Sequence, residues 1–156
     1  MVEYYLLAFK KYANFSGRAR RKEFWWFYAA NMIVTAIFNI LLTISGGASM
    51  FSLLTGDADI NFFAIIVIIL SSIYNLAIFV PTLALTVRRF HDIGKSGWYY
   101  LIVVGACILM IIPIIGWIAG LGLLIWYLVM MCQDSQIGDN QYGADPKAAE
   151  RGNMAV

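Results

Sequence analysis

The sequence predicts an all-α integral membrane protein: four transmembrane helices, the last two a short hairpin, with an N-terminal interfacial amphipathic helix ahead of them. Three observations predict it. The 156 residues are 62% hydrophobic and only 13% charged, with mean hydropathy +0.75, whereas soluble domains carry about 25% charged residues. Three long charge-free apolar stretches divide the chain. All eleven basic residues fall into the short segments between and around them. Lys10, Lys11, Arg18, Arg20, Arg21 and Lys22 precede the first stretch, Arg88, Arg89 and Lys95 separate the second from the third, and Lys147 and Arg151 follow the last. The connection after the first stretch carries only Asp57 and Asp59. Lys and Arg near span ends stay cytoplasmic, while Asp and Glu contribute little to orientation. The basic segments therefore belong on one, cytoplasmic, side.

Residues 2–13 pattern as a short amphipathic helix, with Tyr5, Leu6, Phe9 and Ala13 on one face. Beside a span, such a helix lies in the interface with its apolar side in the acyl boundary. The basic segment stands too far in, and the apolar run is too long, for a secretory signal. Phe15-Ser16-Gly17 breaks the pattern, and Ser16 is expected to cap the helix that follows.

The first span is expected over residues 24–45. Trp25, Trp26 and Tyr28 form an aromatic belt at its basic end, and Gly46-Gly47 ends it. The second is expected over 60–87, with Asp59 capping its start and Pro81 kinking it near its end. The third stretch, Trp98 to Gln133, would be about 54 Å long as one helix, far beyond the roughly 20 residues a bilayer core needs. Pro113 and Gly116 mark its midpoint. The expectation is a hairpin of two short spans, 98–113 and 116–133, with both termini cytoplasmic. Three spans with an external tail is the alternative. Residues 1–146 then form a single membrane domain, and 147–156 a disordered tail.

No metal or cofactor is expected. His91 is the lone histidine, so no site with two imidazoles exists, and Cys107 and Cys132 read as apolar packing residues. No nucleic-acid partner is expected either. The spans hold no Asp, Glu, Lys, Arg or His, which argues against a proton relay. Their polar residues, Asn31, Thr35 and Asn39 in the first and Ser71, Ser72 and Asn75 in the second, read as interhelical glue. Gly116 and Gly120 form a GxxxG that fits either the hairpin or a homo-oligomer seam.

Two basic segments carry the chemistry. In Gly17-Arg18-Ala19-Arg20-Arg21-Lys22, Arg18 and Arg21 stand one helical turn apart, so their guanidiniums could converge on one anionic headgroup. In the loop Arg88-Arg89-Phe90-His91-Asp92-Ile93-Gly94-Lys95-Ser96-Gly97-Trp98, the glycines permit a sharp path, Ser96 can cap the next helix, and Asp92 is expected to pair with an arginine. No catalytic residue is assigned. If chemistry occurs, His91 as acid–base with Asp92 as its orienter would carry it.

These two segments, together with Gly138-Asp139-Asn140-Gln141-Tyr142-Gly143-Ala144-Asp145-Pro146, resemble in order and spacing the small bacterial inner-membrane proteins grouped as domain of unknown function 805. The likeness runs from about Tyr5 to Pro146. Gln141 and Ala144 depart from the usual tail pattern, where a basic residue and a proline are common. The resemblance implies a compact helical protein of the bacterial plasma (inner) membrane and no particular activity. With four spans, one cytoplasmic polar site would gather Arg18, Arg21, Arg88, Arg89, His91, Asp92, Lys95, Ser96, Asn140, Tyr142 and Asp145. The expected function is a non-catalytic module whose basic rim binds anionic membrane lipids or an acidic partner. A transporter or channel subunit, or a membrane-surface enzyme, are the alternatives.

Overall fold

The structure, a computed structural model, describes residues 2–45, 56 and 62–154. Among them the fold is all helical. Helix α1 is Val2–Lys10, α2 Arg21–Ile44, α3 Phe62–Asp92, α4 Tyr100–Leu109, α5 Ile115–Cys132 and α6 Ala148–Met154, with a 3₁₀ turn over Gly97–Tyr99 leading into α4. Three of these, α2, α3 and α5, are long and apolar enough to cross a membrane, and Gly97–Leu109 is a shorter apolar helix. The Gly46-Gly47 stop and the Asp59 cap lie outside the described residues.

Burial is inverted relative to a water-soluble fold. Met32, Phe62, Leu76, Ile118 and many other large apolar side chains are exposed, while Arg18, Glu23, Arg88, Arg89 and Asp92 are buried. Hydrocarbon is the solvent that suits such a surface. The packed core sits at one end of the helices, where Ala8, Ala19, Phe24, Phe27, Leu85, Phe90, Tyr127 and Met131 form one cluster. Helix α1 joins it through Ala8 and through Tyr5, whose ring stacks on Phe27 at 5.6 Å and whose hydroxyl lies 3.2 Å from that of Tyr74. Leu6 stays exposed, so the inward face of α1 is Tyr5, Ala8 and Phe9.

Three boundaries differ from expectation, each for a physical reason. Ser16 does not cap α2. The cap position is Arg20, and the chain before it runs extended across the end of α3, with the Ala19 N–H donating to the Arg88 carbonyl at 3.1 Å. Gly17, at φ 87°, supplies the turn into that path. Helix α3 continues through Pro81 to Asp92 rather than ending near 87, so Arg88 to Asp92 are helical, not loop. Its charges are neutralised in place, and the helix stops where Gly94, at φ 73°, takes the left-handed position. Bonds from Lys95 N to Phe90 O (2.9 Å) and from Gly94 N to His91 O (3.1 Å) close that end. Finally, the segment expected to be a disordered tail carries α6. Arg20 and Glu150 pair at 2.5 Å, and Arg151 reaches both Asp145 and the Ser135 carbonyl. These contacts tie α6 to the rest of the chain.

Two helices joined by a turn stand where the hairpin is expected: the first arm is shorter, Tyr100–Leu109 against 98–113, and the second is shifted one residue earlier, Ile115–Cys132 against 116–133. The turn contains Pro113 and Ile114, and Ile114 adopts φ 62°, ψ −71°. The Ile115 N–H donates back to the Pro113 carbonyl at 2.7 Å, which makes a γ-turn of the uncommon, strained hand. Gly116 and Gly120 are both buried against α4. A Cβ on Gly116 would stand 1.9 Å from the Leu109 carbonyl oxygen, and one on Gly120 2.7 Å from Met110 Cγ. The hairpin thus occupies both glycines.

The polar residues of the spans divide. The Tyr74 hydroxyl donates to Asn31 Oδ1 at 2.6 Å and joins α3 to α2. Asn39, Ser72 and Asn75 bond only to carbonyls one turn back in their own helices. For those three the expected glue is absent among the described residues.

Candidate functional site: a buried arginine–carboxylate knot

The Asp92 carboxylate is the centre of the packed end. Arg18 Nε donates to Oδ1 at 3.1 Å, while Arg89 Nη1 and Ser135 Oγ donate to Oδ2 at 2.5 and 2.6 Å. Helix geometry supplies Arg89, three residues before Asp92 on the same face. The extended run before α2 supplies Arg18, and the strand-like exit from α5 supplies Ser135.

Both guanidiniums are then used up by backbone acceptors. Arg18 donates to the carbonyls of Gly138 (2.7 Å) and Gln136 (2.5 Å). Arg89 donates to the carbonyls of Met131 (3.1 Å) and Gln133. A bond from Gln136 N to the Asp92 carbonyl, 2.9 Å, returns the chain to the same helix end. Buried charges are tolerated when paired and fully hydrogen-bonded, and this knot meets that condition.

Arg88 faces a different partner. Its Nη1 donates to Glu23 Oε1 at 3.1 Å, and its Nε and Nη2 are buried with no acceptor among the described residues. The pair locks α3 to the first turn of α2.

The three polar segments of the sequence therefore meet, but not as one open anion site. Arg18, Arg89 and Asp92 are consumed by the knot. Arg18 and Arg21 do not converge. Arg18 precedes α2 and is buried, whereas Arg21 is exposed, 3.6 Å from Asp134, with Nη1 on the Cys132 carbonyl at 3.2 Å. Asn140 Nδ2 donates to the His91 carbonyl (2.9 Å), and Tyr142 stacks flat on the His91 ring at 3.8 Å with 2° between planes. Asp145 accepts from Gly138 N at 3.1 Å and Lys147 N at 2.8 Å. The Lys147 bond, with those from Gly138 and Arg151, holds the Asp145 carboxyl below the ordinary carboxylate range. Ser96 caps the 3₁₀ turn, its hydroxyl accepting from Trp98 N, as expected, while Lys95 stands apart, 5.9 Å over the Tyr99 ring.

The dyad of His91 and Asp92 is not formed. His91 Nδ1 lies 3.3 Å from the Gly17 carbonyl, and the Asp92 oxygens are taken by Arg18, Arg89 and Ser135. Consecutive residues on a helix point about 100° apart, which is why the carboxylate cannot orient its neighbour's ring.

Two grooves remain open at this end. One, of about 550 Å³, is lined by Arg21, Lys22, Trp25, Trp26, Ala29 and Cys132. The other, of about 570 Å³, lies between α3, α4 and the tail and includes His91 and Tyr142. Sequence reasoning missed Glu23 and Ser135. Glu23 was findable as the one carboxylate in a basic run; nothing local marks Ser135.

Comparison with known proteins follows the same residues. The family model described as "Protein of unknown function (DUF805)" matches residues 12–144, which include every side chain of the knot. The chain belongs to the DUF805 family. It is 38% identical over 146 residues to the inner membrane protein YhaI of Escherichia coli strain K12, covering 94% of this chain and 97% of YhaI. It is 34% identical to the inner membrane protein YhaH of the same strain, covering 94% and 98%. No solved structure matches. The DUF805 match stops one residue short of Asp145, so α6 lies beyond it.

Proposed function

We propose that this chain is a non-catalytic, four-span module of the bacterial plasma membrane, with both termini cytoplasmic and α1 in the cytoplasmic interface, whose rim binds the headgroup of an anionic lipid. The supporting observation is a division of labour among cations. Arg18, Arg88 and Arg89 are buried, and Arg18 and Arg89 are saturated by protein acceptors. Arg21 and Lys22 are exposed, in a groove whose remaining wall is Trp25, Trp26 and the end of α5. Cations beside interfacial indoles suit a phosphate at the depth where headgroups lie. The binding residues are thus Arg21 and Lys22, not the arginines of the knot.

The test is retention of phosphatidylglycerol by purified protein in native mass spectrometry. Each juxtamembrane cation contributes on the order of 1 kcal/mol, so Arg21→Gln with Lys22→Gln should lower retention about tenfold or more. Unchanged retention with the helical fold intact sinks the reading. Topology is checked in cells on a background lacking Cys107 and Cys132. A cysteine placed at Gln141 should resist a membrane-impermeant maleimide added from outside.

A further inference from the structure

We propose that the second groove is a binding site for a neutral membrane lipid bearing a free hydroxyl, which donates to His91 Nε2. This rests on different residues from the anionic site and stands or falls separately.

The first argument is the imidazole. The Gly17 carbonyl can only accept, so the hydrogen of the His91 ring sits on Nδ1, where that bond of 3.3 Å is made. In the neutral ring Nε2 is then an acceptor, and it has no hydrogen-bond partner among the described residues. Tyr142 fixes the ring plane by stacking on it. The position of Nε2 follows from Gly97, where a Cβ would lie 3.4 Å from it. Gly97 lines the same groove. A methyl there would first meet Val87 Cγ1, at 2.7 Å, so glycine lets the chain pack close beside the imidazole at the groove wall.

The second argument is the lining. Leu83, Val87 and Leu101 form apolar walls on α3 and α4, while His91, Ser96 and Tyr142 close the polar end. No Lys, Arg, Asp or Glu lines it, although cations crowd this end of the molecule. A groove that is greasy along the helices and presents one nitrogen acceptor at its mouth fits an acyl or prenyl tail with a hydroxyl head. It offers a phosphate no counter-charge. Small-ligand sites have this character, mostly apolar with a few placed polar groups.

The experiment uses the full chain in phosphatidylcholine nanodiscs with trace diacylglycerol carrying a diazirine near the head of one acyl chain. Labelling should concentrate on the peptide spanning residues 83–101. The O-methyl ether of the same lipid lacks the donor and should label that peptide about fivefold less, the weight of one neutral hydrogen bond. His91→Phe keeps an aromatic ring for Tyr142 and should abolish the difference between the two lipids. If that variant does not fold, Leu101→Trp narrows the groove with His91 intact and should reduce labelling by both. Arg21→Gln with Lys22→Gln should leave the labelling unchanged. Equal labelling by the hydroxyl lipid and its ether overturns the proposal, as does stronger labelling of the same peptide by a phosphatidic acid probe.

Discussion

Arg18 and Asp92, 74 positions apart, meet in a salt bridge of 3.1 Å whose side chains are 1% and 0% exposed. This contact joins the segment before α2 to the end of α3, and the exit from α5 closes over it through Ser135. The polar chemistry of the knot itself is internal, and it fixes helices rather than offering a vacancy.

Breaking the knot should be severe. Asp92→Ala leaves Arg18 and Arg89 as buried charges with no counter-ion, a situation that costs about 3–5 kcal/mol. Thermal unfolding in detergent should show the loss.

The Glu23–Arg88 pair should behave differently when removed whole. Arg88 already has two donor nitrogens without acceptors among the described residues. Glu23→Leu with Arg88→Met should therefore cost less than either single substitution, since each single change strands a buried charge and the double change strands none. The same melting assay, run on all three variants, decides it.

The hairpin supplies a matched comparison. Gly116→Ala drives a methyl into the Leu109 carbonyl, whereas a Cβ on Gly122 meets nothing within 4 Å. We expect Gly116→Ala to lower the melting temperature and Gly122→Ala to leave it unchanged or raise it slightly.

Ile114 carries backbone strain, a β-branched residue at φ 62°. Ile114→Gly relieves a conformation that costs on the order of 1–3 kcal/mol, less the greater freedom glycine brings to the unfolded chain. A net gain of about 1 kcal/mol is expected in the same measurement.

The tail should loosen in acid. The Lys147 ammonium, with the Ser135 N–H, pulls Asp134 down to about 2, and Asp145 is also lowered. Carboxyls held below their unfolded value of about 3.9 stabilise the folded form above that pH, and the contribution fades as pH falls through the folded values. The protection of residues 134–152 against hydrogen exchange, taken relative to the intrinsic rate at each pH, should therefore fall between about pH 4 and pH 2, with the protection of the α2 amides unchanged. Asp134 is largely solvent-exposed, so Asp145→Asn should account for most of the effect.

Much of this was readable in the residues. Charge-free length located the spans, Pro113 and Gly116 located the hairpin, and the resemblance of the three polar segments placed the chain among its relatives. The spacing of Arg89 and Asp92 was also legible as one helical turn. The pairing of Asp92 with an arginine is as expected; the helical path of Arg88 to Asp92 is not, because a dense polar run reads as a loop, although a helix tolerates those charges once they are neutralised at i,i+3. Arg18 to Asp92 and Ser135 to Asp92 were out of reach, because contacts between distant segments leave no local periodicity. The error over which arginines face outward has the same origin: composition reports a charge, and only packing reports its acceptor.

Ser135 follows the last long helix, which has a consequence for biosynthesis. A ribosome that has threaded α2 and α3 into the bilayer still holds the serine that completes the Asp92 cradle, together with the carbonyls that Arg18 needs. Until those residues emerge the nascent protein is unfastened: a chain cut short near Cys132 keeps the Arg89 bonds to Asp92 and to the Met131 carbonyl but leaves Arg18 without the carbonyls of Gln136 and Gly138.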